Sequence, residues 1–277
     1  MPEIRPLKNG LSAEIVGIDL SRDLDPATVR WIENTLDEHP VLVFRDQKLG
    51  APELAAFGKR LGQLRPHALL RYRHPEIPEI SYVTNVDAEG KVDSFGVKRA
   101  TAWHTDETYN AELPRATMLH AIEVPAAKGG TLFADMRAAY DALPEATKQR
   151  LGGLTGLHGY STGPGGGAYE GQLTKAQEKD YPERRHPAVL IHPSSKRPIL
   201  FVNPMHTHGF AGIERDEALR LIEELTDHAV GDRFTYYHEW RVGDLVMWDD
   251  QATMHRSAGD YAPEERRIFL RTIVHAA

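Results

Sequence analysis

The chain has 277 residues, enough for a large hydrophobic core, and its 41% apolar and 26% charged residues are typical of a folded globular protein. With 33 basic and 40 acidic residues, its formal net charge of −7 argues against binding nucleic acid or an anionic membrane through charge alone. The absence of cysteine excludes disulfides, iron–sulfur clusters, thiolate zinc sites and cysteine nucleophiles, so a metal would have to bind His, Asp or Glu.

The N-terminal part of the chain predicts alternating strands and helices. Residues 13 to 20 and 41 to 46 are apolar and rich in β-branched side chains, which predicts two strands. Between them, Asp25-Pro26 has the pattern of an N-cap followed by proline at the first helical position. Residues 51 to 62 predict a second helix that ends in glycine, and residues 81 to 86 predict another strand.

The remainder predicts mostly short strands. Residues 136 to 151 and 214 to 229 have helical spacing, whereas the glycine-rich segment 162 to 171 predicts an irregular surface flap. Period-two alternation predicts strands at 233 to 240, 244 to 250 and 267 to 274. Many strands with few helices and no visible linker predict one α+β domain over residues 1 to 277, with a mainly β core built as a sandwich or barrel.

Neither a targeting segment nor a membrane span is visible in the sequence. The first residues lack a basic start followed by an apolar stretch and a cleavage site, and no apolar window reaches the length of a bilayer span. We therefore expect a cytoplasmic protein without a membrane or nucleic-acid partner.

Three side chains have the types and spacing of a metal site. His104 and Asp106 are two residues apart, so on an extended strand both leave the same face. His255 follows an apolar run, where the end of a strand would present it to a cavity; the alternative is a loop histidine bonded to solvent or backbone. Two histidines and one carboxylate form the facial arrangement that binds non-haem Fe(II) and leaves coordination positions open.

Two arginines share one face of the last predicted strand. Alternation places Arg267 and Arg271 on the same side, about 13 Å apart along the strand. If that face lines a pocket, the guanidinium groups need anionic partners, because an uncompensated buried charge is costly. Their planar forks suit a carboxylate or sulfonate. The alternative is an edge strand whose arginines lie in water.

An ordered series of motifs resembles the taurine and 2,4-dichlorophenoxyacetate dioxygenase family. The motifs are Trp-His-Thr-Asp at 103 to 106, Gly-Gly-Thr at 129 to 131, Trp-Asp at 248 to 249, His-Arg at 255 to 256, and Glu-Arg-Arg with a further arginine at 265 to 271. The resemblance extends from about Glu14 to Val274 and is closest to the herbicide-degrading, aryloxyalkanoate branch.

This resemblance implies a double-stranded β-helix, or jelly roll, with flanking helices, which uses Fe(II), 2-oxoglutarate and O2. Motif position implies three iron ligands, which are His104, Asp106 and His255. Thr131 and Arg267 are implied to hold the distal carboxylate of 2-oxoglutarate, and Arg271 to bind the acidic group of the primary substrate. Family members are often dimers or tetramers, so a homo-oligomer is expected.

Some positions depart from the family pattern. Leu69 stands where taurine-specific enzymes carry a histidine, which weakens a taurine assignment, and Tyr72 keeps an aromatic residue in that loop. His206 stands where the herbicide branch has histidine; it is a substrate-pocket candidate with Tyr72, and a surface-loop histidine is the alternative. Asp250 replaces the family's Asn, so it either adds a negative charge near the iron or points outward.

The implied reaction hydroxylates a small anionic organic substrate and releases succinate and CO2, with cleavage where the hydroxylated carbon bears an ether oxygen or a sulfonate. An aryloxyalkanoate-like carboxylate is favoured, and an alkylsulfonate or a sulfate ester is the alternative. Segments 87 to 100 and 162 to 171 are candidate lids.

Two other classes of function remain open. A zinc hydrolase on the same triad leaves the arginine pair without a role, and a non-catalytic anion-binding jelly roll leaves the metal triad unexplained.

Overall fold

The computed structural model describes residues 2–8, 10–87, 89–92, 96, 100–169 and 171–276. Within these ranges the chain forms sixteen strands and six α-helices. The strands are β1 (Glu3–Lys8), β2 (Ser12–Val16), β3 (Val41–Phe44), β4 (Gln63–Leu64), β5 (Ser81–Thr84), β6 (Ala116–Glu123), β7 (Thr131–Asp135), β8 (Thr155–His158), β9 (Arg184–Pro187), β10 (Val189–Ile191), β11 (Pro198–Leu200), β12 (Thr207–Phe210), β13 (Thr235–His238), β14 (Leu245–Asp249), β15 (Thr253–Ser257) and β16 (Ile268–His275). The helices are α1 (Pro26–Glu38), α2 (Ala51–Leu61), α3 (Met136–Asp141), α4 (Glu145–Leu151), α5 (Lys175–Glu178) and α6 (Arg215–Ala229).

The largest sheet has eight strands in the order β1-β2-β3-β14-β6-β16-β4, with β5 also paired to β16. Its pairs are antiparallel except for β2 and β3. Strand β16 pairs with β6 along one side and with β4 and β5 along the other. The alternative of an edge strand for the segment with the two arginines is therefore wrong.

Both faces of this sheet are buried at its central strands β3 and β14, which explains why these strands are apolar. In β3, Leu42 and Phe44 pack in a cluster with residues of α1 and α2. Val41 and Val43 point to the opposite face and pack with Phe133 of a second sheet. Because successive side chains leave a strand on opposite sides, a strand covered on both faces needs apolar residues at every position.

The second sheet has the order β13-β7-β15 and faces the first. Phe133 of β7 packs against Trp248 of β14, with ring centroids 5.4 Å apart, and lies opposite His255 of β15. Two smaller sheets, β12-β8-β9 and β10-β11, pack with α3 and α6 around a third apolar cluster. The predicted α+β class with a mainly β core agrees with this arrangement of mixed sheets and few helices.

The helix predictions are correct at their starts and less so at their ends. The Asp25 carboxylate accepts hydrogen bonds from the Ala27 and Thr28 N–H groups at 2.9 and 3.1 Å, as expected of an N-cap. The single helix predicted at 136 to 151 is wrong: α3 ends at Asp141, and α4 begins after Pro144. Proline has no N–H for the helix and its ring clashes with the preceding turn.

No helix in the described ranges is long and apolar enough to cross a membrane.

Candidate metal and anion site

The three predicted metal ligands come from distant parts of the chain that pair through their backbones. His104 and His255 form an antiparallel bridge in which the N–H of each donates to the carbonyl oxygen of the other, at 3.0 and 2.7 Å. Asp106 lies two residues beyond His104, and all three side chains are buried. One nitrogen of each histidine and one carboxylate oxygen lie within 4.8 Å of one another. The structure therefore brings the three side chains together.

This donor set fits a divalent transition metal. The Nδ1 of His104 lies 2.9 Å from the Ala102 carbonyl oxygen, which makes Nδ1 the protonated nitrogen and Nε2 the nitrogen that can coordinate a metal. The Nε2 atoms of His104 and His255 lie 3.9 and 3.8 Å from the oxygens of Asp106, too far for hydrogen bonds. Two imidazoles and a carboxylate form the set that suits Fe(II).

The neighbours of Asp106 stabilise its charge. Burial raises the pKa of a carboxyl group, but His255, Arg271 and His104 together hold the pKa of Asp106 below its usual value. The Thr117 hydroxyl also lies 3.0 Å from one oxygen of Asp106. The carboxylate is therefore ionised, which is the form that binds a metal.

Arg267, immediately before β16, is buried beside the start of β7. Its Nε donates to the Gly129 carbonyl oxygen at 2.9 Å, and its Nη2 donates to the Thr131 hydroxyl at 3.4 Å. Its guanidinium group lies 4.3 Å above the Phe269 ring. Burial lowers the pKa of Arg267 to about 10, so it remains a cation at neutral pH. The described residues include no carboxylate within ion-pair distance of Arg267.

The glycines before Thr131 allow this close packing. Gly129 adopts a φ of 67°, in the left-handed region that favours glycine, and presents its carbonyl to Arg267. A Cβ at Gly130 would lie 2.3 Å from the Tyr237 ring. Trp240 donates its indole N–H to the Thr131 hydroxyl at 3.0 Å, which fixes that side chain.

Arg271, within β16, lines the same cavity as Arg267 and the metal triad. Its Nη1 lies 3.6 Å from an oxygen of Asp106. Among the residues that the structure describes, its Nε and Nη2 are buried without a hydrogen-bond partner. Buried guanidinium nitrogens without an acceptor are costly, so this group is suited to an incoming anion. Arg267 and Arg271 both line this cavity, and the alternative in which their shared face lies in water is therefore wrong.

His206, just before β12, is buried in the wall of this cavity, so it is not a surface-loop histidine. Its Nδ1 accepts the Ser161 N–H at 3.0 Å, which places the ring proton on Nε2. Burial and the neighbouring His104 lower the pKa of His206 to about 3, so the ring is neutral. Its ring lies 5.0 Å from the Tyr109 ring.

The remaining substrate candidate, Tyr72, lies outside this cavity, as do Leu69 and His208. Tyr72 borders a neighbouring groove with Arg71 and Arg73, and is absent from the described lining of the metal cavity. Leu69 is buried and is also absent from that lining. His208 lies 3.4 Å from a Glu183 oxygen in a third pocket. We therefore leave Tyr72 out of the proposed site.

Asp250 points inward and is fully buried. Its carboxyl oxygens lie 2.6 Å from the Thr117 hydroxyl and 3.0 Å from the Trp248 indole nitrogen. The alternative that Asp250 points outward is therefore wrong; its carboxyl group lies close to the metal triad, with the Thr117 hydroxyl between it and Asp106.

The sequence did not single out most of the cavity wall. The remaining lining residues are His67, Val83, Thr84, Asn85, Gly96, Ala100, Glu107, Tyr109, Leu119, Tyr160, Ser161, Met205, Trp248, Ser257 and Tyr261. Asn85 accepts the Arg267 N–H at 2.8 Å and donates to the Glu265 carbonyl at 2.8 Å, so it holds the chain at the start of β16. An asparagine within a predicted strand carries no signal for such a role.

A second group of possible metal ligands, Asp37, His192 and Asp249, is engaged in contacts within the protein. Arg115 contacts both carboxylates, and the Nε2 of His192 lies 2.9 Å from an Asp249 oxygen. These contacts form a buried ion-pair network that joins α1 to the end of β14.

The two candidate lids are only partly covered by the structure. In the first, residues 88, 93–95 and 97–99 lie outside the described residues, as does residue 170 in the second. In the second segment, the N–H groups of Gly163 and Gly165 donate to the carbonyls of Met205 and Pro204 at 3.0 and 2.7 Å. This segment therefore packs beside His206.

Comparison with known proteins matches nearly the whole chain. The family model described as taurine catabolism dioxygenase TauD, TfdA family matches residues 3–273. An alpha-ketoglutarate-dependent 2,4-dichlorophenoxyacetate dioxygenase from Cupriavidus pinatubonensis is 35% identical over 260 residues, covering 91% of this chain and 90% of that protein. An alkylsulfatase from Acinetobacter baylyi is 30% identical over 278 residues, covering 98% of this chain and 84% of that protein.

A solved structure agrees with these sequence matches. The crystal structure of AAD-2 in complex with Mn(II) and N-oxalylglycine is similar with a TM-score of 0.87 and 28% sequence identity. The similarity covers 100% of this chain and 98% of that one.

Proposed function

The chain belongs to the taurine catabolism dioxygenase TauD, TfdA family and is an Fe(II)- and 2-oxoglutarate-dependent dioxygenase; from this premise we propose that it hydroxylates a small organic acid, with an aryloxyalkanoate-like carboxylate favoured. The observation that carries the proposal is the presence of two arginines with different contacts in one cavity beside a metal triad. Two cationic groups in one cavity suit two anionic ligands, a co-substrate and a primary substrate. Membership of this family excludes the two alternative functions, a zinc hydrolase and a non-catalytic anion-binding protein.

In this proposal, His104, Asp106 and His255 hold the iron. Three observations support this assignment: the donor atoms are buried, the Ala102 carbonyl fixes the tautomer of His104, and Asp106 is ionised. When bound, the iron supplies the activation of O2 by which 2-oxoglutarate is decarboxylated to succinate and CO2 and a substrate C–H bond is hydroxylated. The protein selects that C–H bond by orienting the substrate.

Thr131 and Arg267 hold the distal carboxylate of 2-oxoglutarate. The Arg267 guanidinium group is aligned by Gly129 and Phe269, and the Thr131 hydroxyl by Trp240. Side chains fixed before the ligand arrives lose little conformational freedom on binding. A carboxylate here would also offset the burial of the Arg267 charge.

Arg271 and His206 bind the primary substrate. The unpartnered nitrogens of Arg271 can donate to a carboxylate, and the Nε2–H of His206 supplies a neutral donor. The Tyr109 and Tyr160 rings, 5.0 Å apart in an edge-to-face arrangement, form a wall that suits a planar aromatic group. A sulfate ester is the second candidate, because a relative 30% identical to this chain is named an alkylsulfatase.

We further propose that residues 1 to 277 form one domain with a jelly-roll core. The proposal is supported by the two facing sheets and by a match that extends over residues 3–273. The cytoplasmic location and the homo-oligomer stay predictions; sedimentation of the purified protein tests the latter.

An anaerobic titration tests the proposed site. Addition of Fe(II) and then 2-oxoglutarate is expected to produce a metal-to-ligand charge-transfer band, which aryloxyalkanoates, alkylsulfonates or sulfate esters perturb when they bind. His104→Ala is expected to lose the band. His208→Ala, which changes a histidine outside the cavity, is the matched control and is expected to keep it. Absence of a band in the wild type would contradict the proposed binding site for Fe(II) and 2-oxoglutarate. Perturbation by sulfate esters alone would favour a sulfate ester as the primary substrate.

A further inference from the structure

The Thr117 hydroxyl lies between two buried carboxyl groups. Its Oγ1 is 3.0 Å from one oxygen of Asp106 and 2.6 Å from one oxygen of Asp250. Thr117 and Asp250 are 0% exposed, whereas Asp106 borders the cavity. The second oxygen of Asp250 accepts the Trp248 indole N–H at 3.0 Å.

The number of protons constrains this arrangement. A hydroxyl group has one proton to donate, and an ionised carboxylate only accepts. Both contacts of Thr117 are hydrogen bonds only if one of the two carboxyl groups carries a proton. Asp106 has a cationic neighbour, because the Nη1 of Arg271 lies 3.6 Å from one of its oxygens, and this favours its ionised form.

Asp250 has no such support. In the described part of the chain, its carboxyl group is bonded to Thr117 and Trp248, with no basic side chain within ion-pair distance. Burial, followed by the charge of Asp106, raises the pKa of Asp250 well above its usual value. The groups that face it therefore favour its neutral form.

We propose that Asp250 is a neutral carboxylic acid that donates its proton to Thr117, so that Thr117 donates its own proton to Asp106 and orients that carboxylate toward the metal. Asp250 and Thr117 are then positioning residues. The metal-orienting part rests on the proposed function, whereas the location of the proton rests on the hydrogen bonds of Thr117 and on the position of Arg271 beside Asp106.

This assignment explains why an acidic residue is tolerated beside the metal triad. A neutral carboxyl group that donates through one oxygen and accepts through the other has the same hydrogen-bond pattern as an asparagine side chain. Asp250→Asn therefore conserves both hydrogen bonds, to Thr117 and from Trp248.

Infrared spectroscopy tests the location of the proton. The difference spectrum between the wild-type protein and Asp250→Asn at neutral pH is expected to show loss of the C=O stretch of a protonated carboxyl group, with or without metal. Loss of ionised carboxylate bands instead would overturn the assignment.

Direct binding of Mn(II), followed by electron paramagnetic resonance, tests the positioning role. Thr117→Val is expected to weaken Mn(II) binding about tenfold to a hundredfold, the usual effect of losing a partner of a metal ligand. Thr117→Ser and Asp250→Asn, which keep the hydrogen bonds, are expected to stay within about twofold of the wild type. Thr253→Val removes a buried hydroxyl that donates to the Asp249 carbonyl and serves as the matched control.

Equal Mn(II) affinity in Thr117→Val and the wild type would overturn the positioning role. A wild-type protein that fails to bind Mn(II) would overturn the proposed function and this role together, and the infrared result would still decide where the proton lies.

Discussion

Arg267, immediately before the last strand, and Arg271, within it, line the same cavity, and among the described residues only Arg267 is hydrogen-bonded to protein atoms through its guanidinium group. Arg267 is held by Gly129 and Thr131, whereas two nitrogens of Arg271 are buried without a partner. The two arginines are therefore expected to serve different ligands.

Alanine substitutions separate these two roles. Arg271→Ala is expected to weaken binding of the primary substrate about tenfold to a hundredfold, because a hydrogen bond to a charged group contributes about 1.5–3 kcal/mol. The same substitution is expected to leave 2-oxoglutarate binding nearly unchanged. Arg267→Ala is expected to do the reverse. Anaerobic titration of each variant with both ligands measures the effect. Arg266→Ala, which changes an exposed arginine paired with Glu123, is the control. Equal losses of both ligands in both variants would contradict the two-site assignment.

Asn85 is expected to act on 2-oxoglutarate through Arg267. Asn85→Ala removes the acceptor of the Arg267 N–H and the donor to the Glu265 carbonyl, which leaves buried backbone groups unpaired. The expected cost is about 1–3 kcal/mol of unfolding free energy for each such group, with a higher KM for 2-oxoglutarate. Urea denaturation and steady-state kinetics measure the two effects. A KM that rises for the primary substrate instead would show that Asn85 does not act through Arg267.

His206 is expected to contribute a neutral hydrogen-bond donor to the primary substrate. His206→Leu removes this donor, and a loss of about tenfold in substrate affinity is expected from a single buried hydrogen bond. His206→Gln keeps an amide donor and is expected to lose less. Perturbation of the charge-transfer band by substrate reports affinity in each variant. Identical affinities of the Leu and Gln variants would mean that His206 contributes shape and not a hydrogen bond.

His158 is expected to make stability depend on pH. Burial, and then the charges of His186, His206 and His208, hold the pKa of His158 well below its usual value. Below about pH 6.5 the unfolded chain binds a proton that the folded protein excludes, so the free energy of unfolding falls as pH falls, by at most about 1.36 kcal/mol per pH unit for this group. Urea denaturation between pH 7.5 and 5 is expected to show a shallower decline for His158→Gln than for the wild type. Parallel declines would assign the effect to other groups.

Local sequence patterns predicted much of the fold, because burial of one or both faces of a strand or helix determines the spacing of its apolar residues. The run Val41–Phe44 is apolar throughout since both faces of its sheet are covered. The N-cap at Asp25 was predictable because capping involves only neighbouring residues. The break at Pro144 was missed because periodicity continued across it, although proline stops a helix whatever the period.

In the candidate site too, local spacing predicted some residues and not others. Period-two spacing placed Arg267 with Arg271 on a common face, because side chains alternate along an extended chain without tertiary contacts. The strand expected for His104 and Asp106 is absent from the described structure, because the chain turns directly after the His104 bridge. Tyr72 was misplaced because a loop carries no such period, and its aromatic character alone did not say which groove it would border. Asn85 was missed because its hydrogen bonds join residues about 180 positions apart.

The sequence by itself determined the donor types, the order of the motifs, the common face of the arginines and the family that they resemble, because all of these depend on residue identity and spacing. Only the tertiary structure decided that His255 meets His104, that His206 faces the cavity, and that Asp250 is buried against Thr117. Those outcomes depend on which sheets face each other. Burial and proton sharing arise when distant side chains are packed together, so no local pattern contains them.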